Sequence, residues 1–255
     1  MKLSICMTYY NRRDLLINTL NSIRSYKKDH DIEVLIVDDA SDEIHRIEDL
    51  VNEYSDLNLR LHRFEPEEKW WTLQILPHNK LIAMATGDVI VQQGAECYHT
   101  TDIITDAIEN TKNNEYRVYG CYALTEVDTN NIENSEYQIT INNECNWSTM
   151  YEKGGWYQHS KYRNGQLNFC TSITKKDLHE LGGFDERFSM GIGYGDNEFI
   201  TRIKRKKMNV LSLDHLYVYH QYHEPTKYDR YDPNVQLILE VEKEKTIKVH
   251  NTFLP

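Results

Sequence analysis

The stretch Leu3–Asp42, LSICMTYYNRRDLLINTLNSIRSYKKDHDIEVLIVDDASD, decides how the chain folds. Leu3 to Thr8 is an apolar run of strand length. From about Asn11 to Tyr26 the apolar residues Leu15, Leu16, Ile17, Leu20 and Ile23 recur at the spacing of one helix face. Ile32 to Val37 is a second apolar run, and it ends in the acidic turn Asp38-Asp39-Ala40-Ser41-Asp42. A strand, a helix and a second strand in this order make a crossover unit, which joins parallel neighbours in a sheet.

Working outward, Ile44, Ile47, Leu50 and Val51 predict a second helix, and Leu59 to Phe64 a third strand. Asn79 to Thr86 predicts a short helix, and Val89 to Gln92 a fourth strand entered through Gly87-Asp88. The alternation predicts an α/β domain: a mostly parallel sheet flanked by helices on both faces. Ligands of such sheets collect outside the carboxyl ends of the strands. Three polar clusters fall there, Thr8-Tyr9-Tyr10-Asn11, Asp38-Asp39 and Gly94-Ala95-Glu96. The second half is less regular. Strands are expected at Arg117–Val127, Gln138–Asn142, Val210–Leu213 and Tyr217–His220, with a helix at Lys175–Leu181. Asn143 to Arg163 is an irregular stretch holding Trp147, Tyr151, Trp156, Tyr157, His159 and Tyr162. From Pro233 onward Val235, Leu237, Ile238, Val241 and Ile247 predict an amphipathic helical tail docked on the domain.

A chain of 255 residues can bury a core without disulfides or metal. Its formal charge of −11 excludes non-specific nucleic-acid binding, which needs clustered cations on phosphates. The run Lys204–Lys207 reads as a solvated helix face. The five cysteines are scattered, with no paired spacing for zinc or redox work, and read as reduced buried thiols. No run has the length of a signal peptide or membrane span, so the expected location is cytoplasmic, where the Asn146-Trp147-Ser148 sequon has no consequence. The 18 tyrosines and 4 tryptophans suit ring-shaped polar ligands such as sugars, and suit packing equally well.

Five of the eleven glycines lie in Gly182–Phe199, GGFDERFSMGIGYGDNEF, just before a helix that starts near Asn197. Phe199, Ile200 and Ile203 mark its apolar side, and Arg202, Lys204, Arg205, Lys206 and Lys207 its polar side. A carboxylate at such a helix start serves as a cap or as a catalytic acid or base. Local sequence leaves both open for Asp196.

The ordered set SICMTYYNR, VLIVDDASD, GDVIVQQGAECYH, FCTSITKKDLHELGGFDERF, GYGDNEF and VYHQYHEP resembles the inverting GT-A glycosyltransferases of family 2, over about Lys2 to Glu224. The resemblance implies a Rossmann-like GT-A domain over 1–230, with a nucleotide-binding half at 1–98, a smaller acceptor and catalytic half at 99–230, and a tail at 231–255. It implies that Thr8, Tyr10, Asn11, Asp39 and Asn79 bind the nucleotide, Tyr10 by stacking and Asp39 by accepting from base or ribose. It places Glu96 and one of His220 and His223, with His220 preferred, at a Mn²⁺ or Mg²⁺ ion on the diphosphate. Asp196 is implied as the base that deprotonates the acceptor and Asn197 as an acceptor contact; Trp156 and His159 fall where the family has a variable acceptor loop, and serve there as an acceptor platform or as core packing.

Three departures stand out. The Asp-x-Asp motif of the family is Gly94-Ala95-Glu96, the acid before Asp196 is Gly195, and the Arg beside Asn79 is His78. Asp185 reads as structural. The implied activity is inverting transfer from a nucleotide-sugar, a UDP-sugar above all, to a hydroxyl of a glycan or other acceptor. A catalytically silent binder of the same ligands is the alternative. A nucleotidyltransferase would want a glycine-rich phosphate loop after the first strand, and TYYNRRD has no glycine. Oligomeric state is left open.

Overall fold

Strand β1 (Leu3–Tyr9) is buried along its whole length, as is β2 (Ile32–Asp38), and helix α1 (Arg13–Tyr26) joins them by burying Leu16, Leu20 and Ile23. The computed structural model describes residues 1–144, 148–224 and 233–254. A single turn, α2 (Leu50–Glu53), leads to β3 (Arg60–Arg63), then α3 (Ile75–Met84), β4 (Val89–Gly94) and β5 (Cys97–His99). Helix α4 (Ile103–Asn110) and strand β6 (Glu115–Ala123) follow, with short helices α5 (Glu126–Asn130) and α6 (Met150–Lys153), then β7 (Gly155–Gln158) and β8 (Cys170–Thr174). Helices α7 (Lys175–Leu181) and α8 (Gly195–Arg205), strand β9 (Asn209–His220) and helix α9 (Pro233–Val241) complete the described elements.

The sheet runs β3-β2-β1-β4-β8-β6-β9-β5, with β7 paired to β6. Strands β3, β2, β1 and β4 are parallel, and β8 inserts antiparallel between β4 and β6. Register sets the site: Tyr9 lies opposite Asp38, and Thr8 opposite Gly94. The carboxyl ends of β1, β2 and β4 are therefore level, and the three polar clusters of the sequence share one edge.

Several expectations are corrected. The second helix is reduced to a 3₁₀ turn at Glu43–His45 and the single turn α2. The carbonyls of His45 and Arg46 accept from the Tyr9 hydroxyl and the Arg13 guanidinium instead of from a helix N–H. Gln138–Asn142 is not a strand, because the chain there is held by Tyr122, whose hydroxyl accepts from Asn142 N at 2.7 Å. The two expected strands near 210–220 are one, β9, with Asp214-His215-Leu216 looped out where Leu213 pairs with Tyr119 and Tyr217 with Gly120. Among the described residues the tail is helical only in α9; beyond it the chain turns and then runs out without further helix or strand, with Val249 N donating to Leu181 O. That segment passes over Gly182 and Gly183, both at positive φ, where a Cβ would lie 2.2 Å from Val249 O and 2.6 Å from Asn251 Nδ2. Only glycine fits there. Cys145, Asn146 and Trp147, and the expected boundary at 230–231, lie outside the described residues. Among the described residues no helix is long and apolar enough to cross a membrane.

The basic helix face is also revised. Arg202 is fully buried, with Nε and Nη2 donating to Glu198 at 2.6 and 2.7 Å and the remaining nitrogen atom capping Leu181 O. Its Nη2 also donates to Gly183 O, so the guanidinium holds α8 against the turn that follows α7. Burial pushes the Glu198 carboxyl up, and Arg202 offsets part of that shift. Removing one member of a buried ion pair strands the other charge. We therefore expect Glu198→Ala to lose about 3–5 kcal/mol in urea unfolding, whereas exposed Lys204→Ala changes stability by less than about 0.5 kcal/mol. Equal midpoints for the two variants would remove the pair from the fold's main supports.

Candidate active site

Glu96 lies in the two-residue turn from β4 to β5, and the pairing of Cys97 with His220 brings the end of β9 against that turn. His220 Nε2 is 3.1 Å from Glu96 Oε1, and His223 Nε2 is 3.7 Å from the same oxygen. Each imidazole is oriented from behind: Nδ1 of His220 is 3.1 Å from Gln221 O, and Nδ1 of His223 is 2.9 Å from Glu224 O. A carbonyl only accepts, so in the neutral ring Nδ1 carries the proton and Nε2 presents its lone pair. Burial lowers the His223 pKa, which favours that neutral form. Burial pushes Glu96 up, but the hydrogen bond that Nε2 of His220 donates when that ring is charged, together with the charges of His220, Arg12 and His223, outweighs it and holds the carboxyl well below the usual range. Three ligand atoms within 4.8 Å of one another, one on an ionised carboxylate and two on imidazoles whose Nε2 lone pairs become free for a ligand when the rings are neutral, are a donor set that a divalent cation satisfies.

The glycine in place of the first acid has a physical reason. A Cβ on Gly94 would lie 3.1 Å from the Glu96 carboxyl, which folds back over it. The longer side chain at 96 fills the place next to residue 94. Arg12, just past β1, donates to Glu96 Oε1 at 3.2 Å. Sequence reading passed over Arg12, since nothing in its local pattern separates it from Arg13.

At the ends of β1 and β2 Asp39 is 2 % exposed, with Oδ1 accepting from Trp71 Nε1 at 2.7 Å and Oδ2 from Lys69 Nζ at 2.9 Å. Burial raises its pKa, and Lys69, Trp71 and Gln74 partly offset the rise. Asp38 is structural: it accepts from Ser41 N and from Arg63. Tyr10 is exposed, with Lys69 Nζ 4.4 Å from its ring centroid, and Thr8 donates to Gln74 at 2.8 Å. Two expected nucleotide contacts are committed elsewhere. Asn11, at φ 52°, donates from Nδ2 to Asp42 Oδ2 and accepts from Asp42 N through Oδ1. Asn79 is wholly buried, clamping Phe184 N and O and reaching Glu186, so it braces a turn and faces no cleft.

Asp196 sits in the first turn of α8, after Tyr194 at φ 63°. With Leu73, Gln74, Ile75, His78, Phe184 and Tyr194 it lines a recess of about 150 Å³. Desolvation pushes its carboxyl up to about 6. The missing neighbouring acid again has a packing cause, because a Cβ on Gly195 would meet Ile75 Cδ1 at 2.8 Å. Asn197 is exposed on the same turn of helix, and Asp185 caps Arg187 N and pairs with its guanidinium, a structural role. The two clusters flank the end of β1: Thr8 reaches the recess through Gln74, and Arg12 reaches Glu96.

For Trp156 and His159 strand alternation decides for packing and against an acceptor platform. Trp156 is 5 % exposed and packs on Tyr122 and Tyr217, and His159 packs on Trp156. Both lie on the sheet face away from His220. The neighbouring Tyr157 points the other way, its ring 4.9 Å from His220 at 75° and stacked on Phe169 at 5.0 Å. A pattern of aromatic residues without a strand assignment could not tell 156 from 157.

The profile of the family described as "Glycosyltransferase like family 2" matches residues 2–229. No curated protein sequence matches the chain significantly. Among solved structures, GalNAc-T7 with UDP, GalNAc and Mn²⁺ superposes with a TM-score of 0.64 at 18% identity, over 94% of this chain and 48% of that one. S. aureus TarS 1–349 in complex with UDP gives 0.58 at 17% identity, over 87% of this chain and 61% of that one. The mannosyltransferase PcManGT from Pyrobaculum calidifontis, in complex with GDP-Man and Mn²⁺, gives 0.51 at 17%, over 85% and 56%. The chain thus spans between about half and three fifths of the length of these structures. Parallel strands with level carboxyl ends, an antiparallel insertion and the sequence match over nearly the whole chain agree: this chain belongs to the glycosyltransferase-like family 2 and has the GT-A fold.

Proposed function

We propose that the protein is an inverting glycosyltransferase that moves a sugar from a nucleotide-sugar, a UDP-sugar, to a hydroxyl group of a glycan acceptor in the cytoplasm. The observation that carries the reading is Asp196, a carboxyl raised to about 6 in a recess of about 150 Å³ beside the end of β1, with the Glu96, His220 and His223 set on the other flank. At neutral pH such a carboxyl is mainly ionised and still a better base than an ordinary aspartate. It takes the proton of the acceptor hydroxyl as the oxygen attacks the anomeric carbon. The bond from that carbon to the diphosphate oxygen breaks on the opposite side, so the configuration inverts and the nucleoside diphosphate leaves.

Glu96, His220 and His223 would hold a divalent cation, which neutralises charge on the leaving diphosphate. Two imidazole nitrogen atoms and one carboxylate favour Mn²⁺ over Mg²⁺, since Mg²⁺ prefers oxygen ligands and water. Arg12 adds a fixed positive charge beside them. The nucleoside lies over Tyr10 near Asp39, and the donor sugar and acceptor meet at the recess. GalNAc-T7 and PcManGT, whose structures carry Mn²⁺ with UDP or GDP-Man, support the cofactor and donor class.

Two measurements test this. Since the base works ionised, kcat/KM should fall as pH drops through about 6 and level off above it; Asp196→Asn should lower kcat by about 10²–10⁴-fold with donor affinity kept. A variant as fast as wild type would remove Asp196 from the chemistry, and a wild type that binds donor but never consumes it with diverse acceptors would favour a silent binder. Separately, Mn²⁺ affinity measured by electron paramagnetic resonance should weaken by at least about tenfold in His220→Ala and in His223→Ala. Unchanged binding in either variant would place that histidine outside the ligand set.

A further inference from the structure

The recess that holds Asp196 contains a second titratable side chain, His78, which the transfer step above does not use. His78 lies on α3 one turn after Gln74, its backbone N–H donating to Gln74 O at 3.1 Å. Its ring is 4.9 Å from that of Phe184, and Phe184 stacks on Phe199 of α8 at 4.6 Å. Packing thus holds the imidazole in place without taking either ring nitrogen. Among the described residues nothing hydrogen-bonds to the His78 ring or to the Asp196 carboxyl. Of the other lining residues, Gln74 is engaged with Thr8 and Asp39, while Leu73, Ile75 and Phe184 are apolar.

Charge in the recess is one-sided. Desolvation lowers the His78 pKa to about 4, so at neutral pH the ring is uncharged, with one donor and one acceptor. Desolvation alone shifts Asp196, and no cation offsets it. The cations of the flanking segments are engaged elsewhere, Lys69 on Asp39 and Arg187 between Asp185 and Glu244.

We propose that this recess takes an uncharged sugar unit of the acceptor, and that His78 holds a hydroxyl next to the one that reacts. The proposal rests on the transferase reading above and names the class of acceptor. The recess volume of about 150 Å³ is that of a cavity able to enclose a single benzene ring, so it admits one sugar ring and little more. A sugar hydroxyl both donates and accepts, which suits a carboxylate that accepts and a neutral imidazole that does either. A carboxylate or phosphate on the same sugar would stand beside ionised Asp196, away from water and with no cation to pair with, and like charges so placed repel. The net charge of −11 adds to that exclusion at longer range. The donor diphosphate is treated differently, because Arg12 and the cation that Glu96, His220 and His223 would hold lie on the other flank.

The test measures transfer by the whole chain from UDP-glucose, UDP-galactose and UDP-N-acetylglucosamine, with Mn²⁺, to paired acceptors that differ in one charged group. The pairs are methyl glucoside against methyl glucuronide and methyl galactoside against methyl galacturonide. Wild type, His78→Leu and His78→Arg are compared, with thermal melts to verify folding and calorimetry to measure UDP binding. In wild type kcat/KM for the neutral member should exceed that for its acidic partner by at least about tenfold. His78→Leu removes a hydrogen bond and adds no cation, so KM for the neutral acceptor should rise about fivefold with the preference kept. His78→Arg supplies the missing cation, and the preference should shrink to about threefold or less. A wild type that uses acidic acceptors as well as neutral ones overturns the charge selection, as does a folded His78→Arg that keeps the full preference. A folded His78→Leu with the wild-type KM overturns the hydroxyl contact. A wild type that binds UDP but transfers to no sugar of either class overturns the sugar acceptor, and one that does not bind UDP overturns the transferase reading as well.

Discussion

The pairing of β1 with both β2 and β4 is the constraint on which the rest depends. Parallel register puts Thr8 level with Val37 and Gly94, so the chain leaves three neighbouring strands at one height. All three strands are buried on both faces, and a slip of one residue would turn apolar side chains out of two layers at once. The register is thus fixed by packing, and the polar residues past the strand ends inherit its precision. Asp39, Arg12 and Glu96 hold their places because the apolar residues beneath them can pair in one way.

Two of the three departures from the family pattern, the glycines at 94 and 195, sit where a side chain would press on a neighbour. At position 94 a Cβ would lie 3.1 Å from the carboxyl of Glu96, which would have to give by a few tenths of an ångström, and at position 195 it would meet Ile75 Cδ1 at 2.8 Å, so that side chain would have to shift. A charge count alone reads such changes as loss of function. In three dimensions the carboxyl of Glu96 reaches both histidines, and Asp196 stays in a desolvated recess.

Much of the first half was legible in the sequence because its signals are local. Apolar runs mark β1, β2 and β4, and helical spacing marks α1. Strand β8 was missed because CTSIT looks polar; its hydroxyl groups are satisfied inside, Thr171 on Asn168 and Ser172 against Thr111 and Tyr119. Arg202 was read as a surface cation for the same reason, since its compensating carboxylate and carbonyls become neighbours only after folding. In the site, Asp196, Glu96 and the histidines were visible through motif order. Lys69, Arg12 and Tyr157 were not, because each matters through a partner distant in sequence: Asp39, Glu96 and His220. Asn79 matched a motif position yet serves a turn, and only its burial reveals this.

The slot formed by Gly182 and Gly183 bears on the order of assembly. Arg202 ties this turn to α8 from within, while the segment around Val249 lies across it from outside, and Thr252 donates to Glu186 nearby. A chain emerging from the ribosome presents the turn and the helix well before the segment that covers them. The helix carrying Asp196 can thus form with its brace still unmade, and the covering segment then enters a groove whose floor has no side chains to move aside. Two adjacent glycines let late-made chain dock on early-made structure without reopening it.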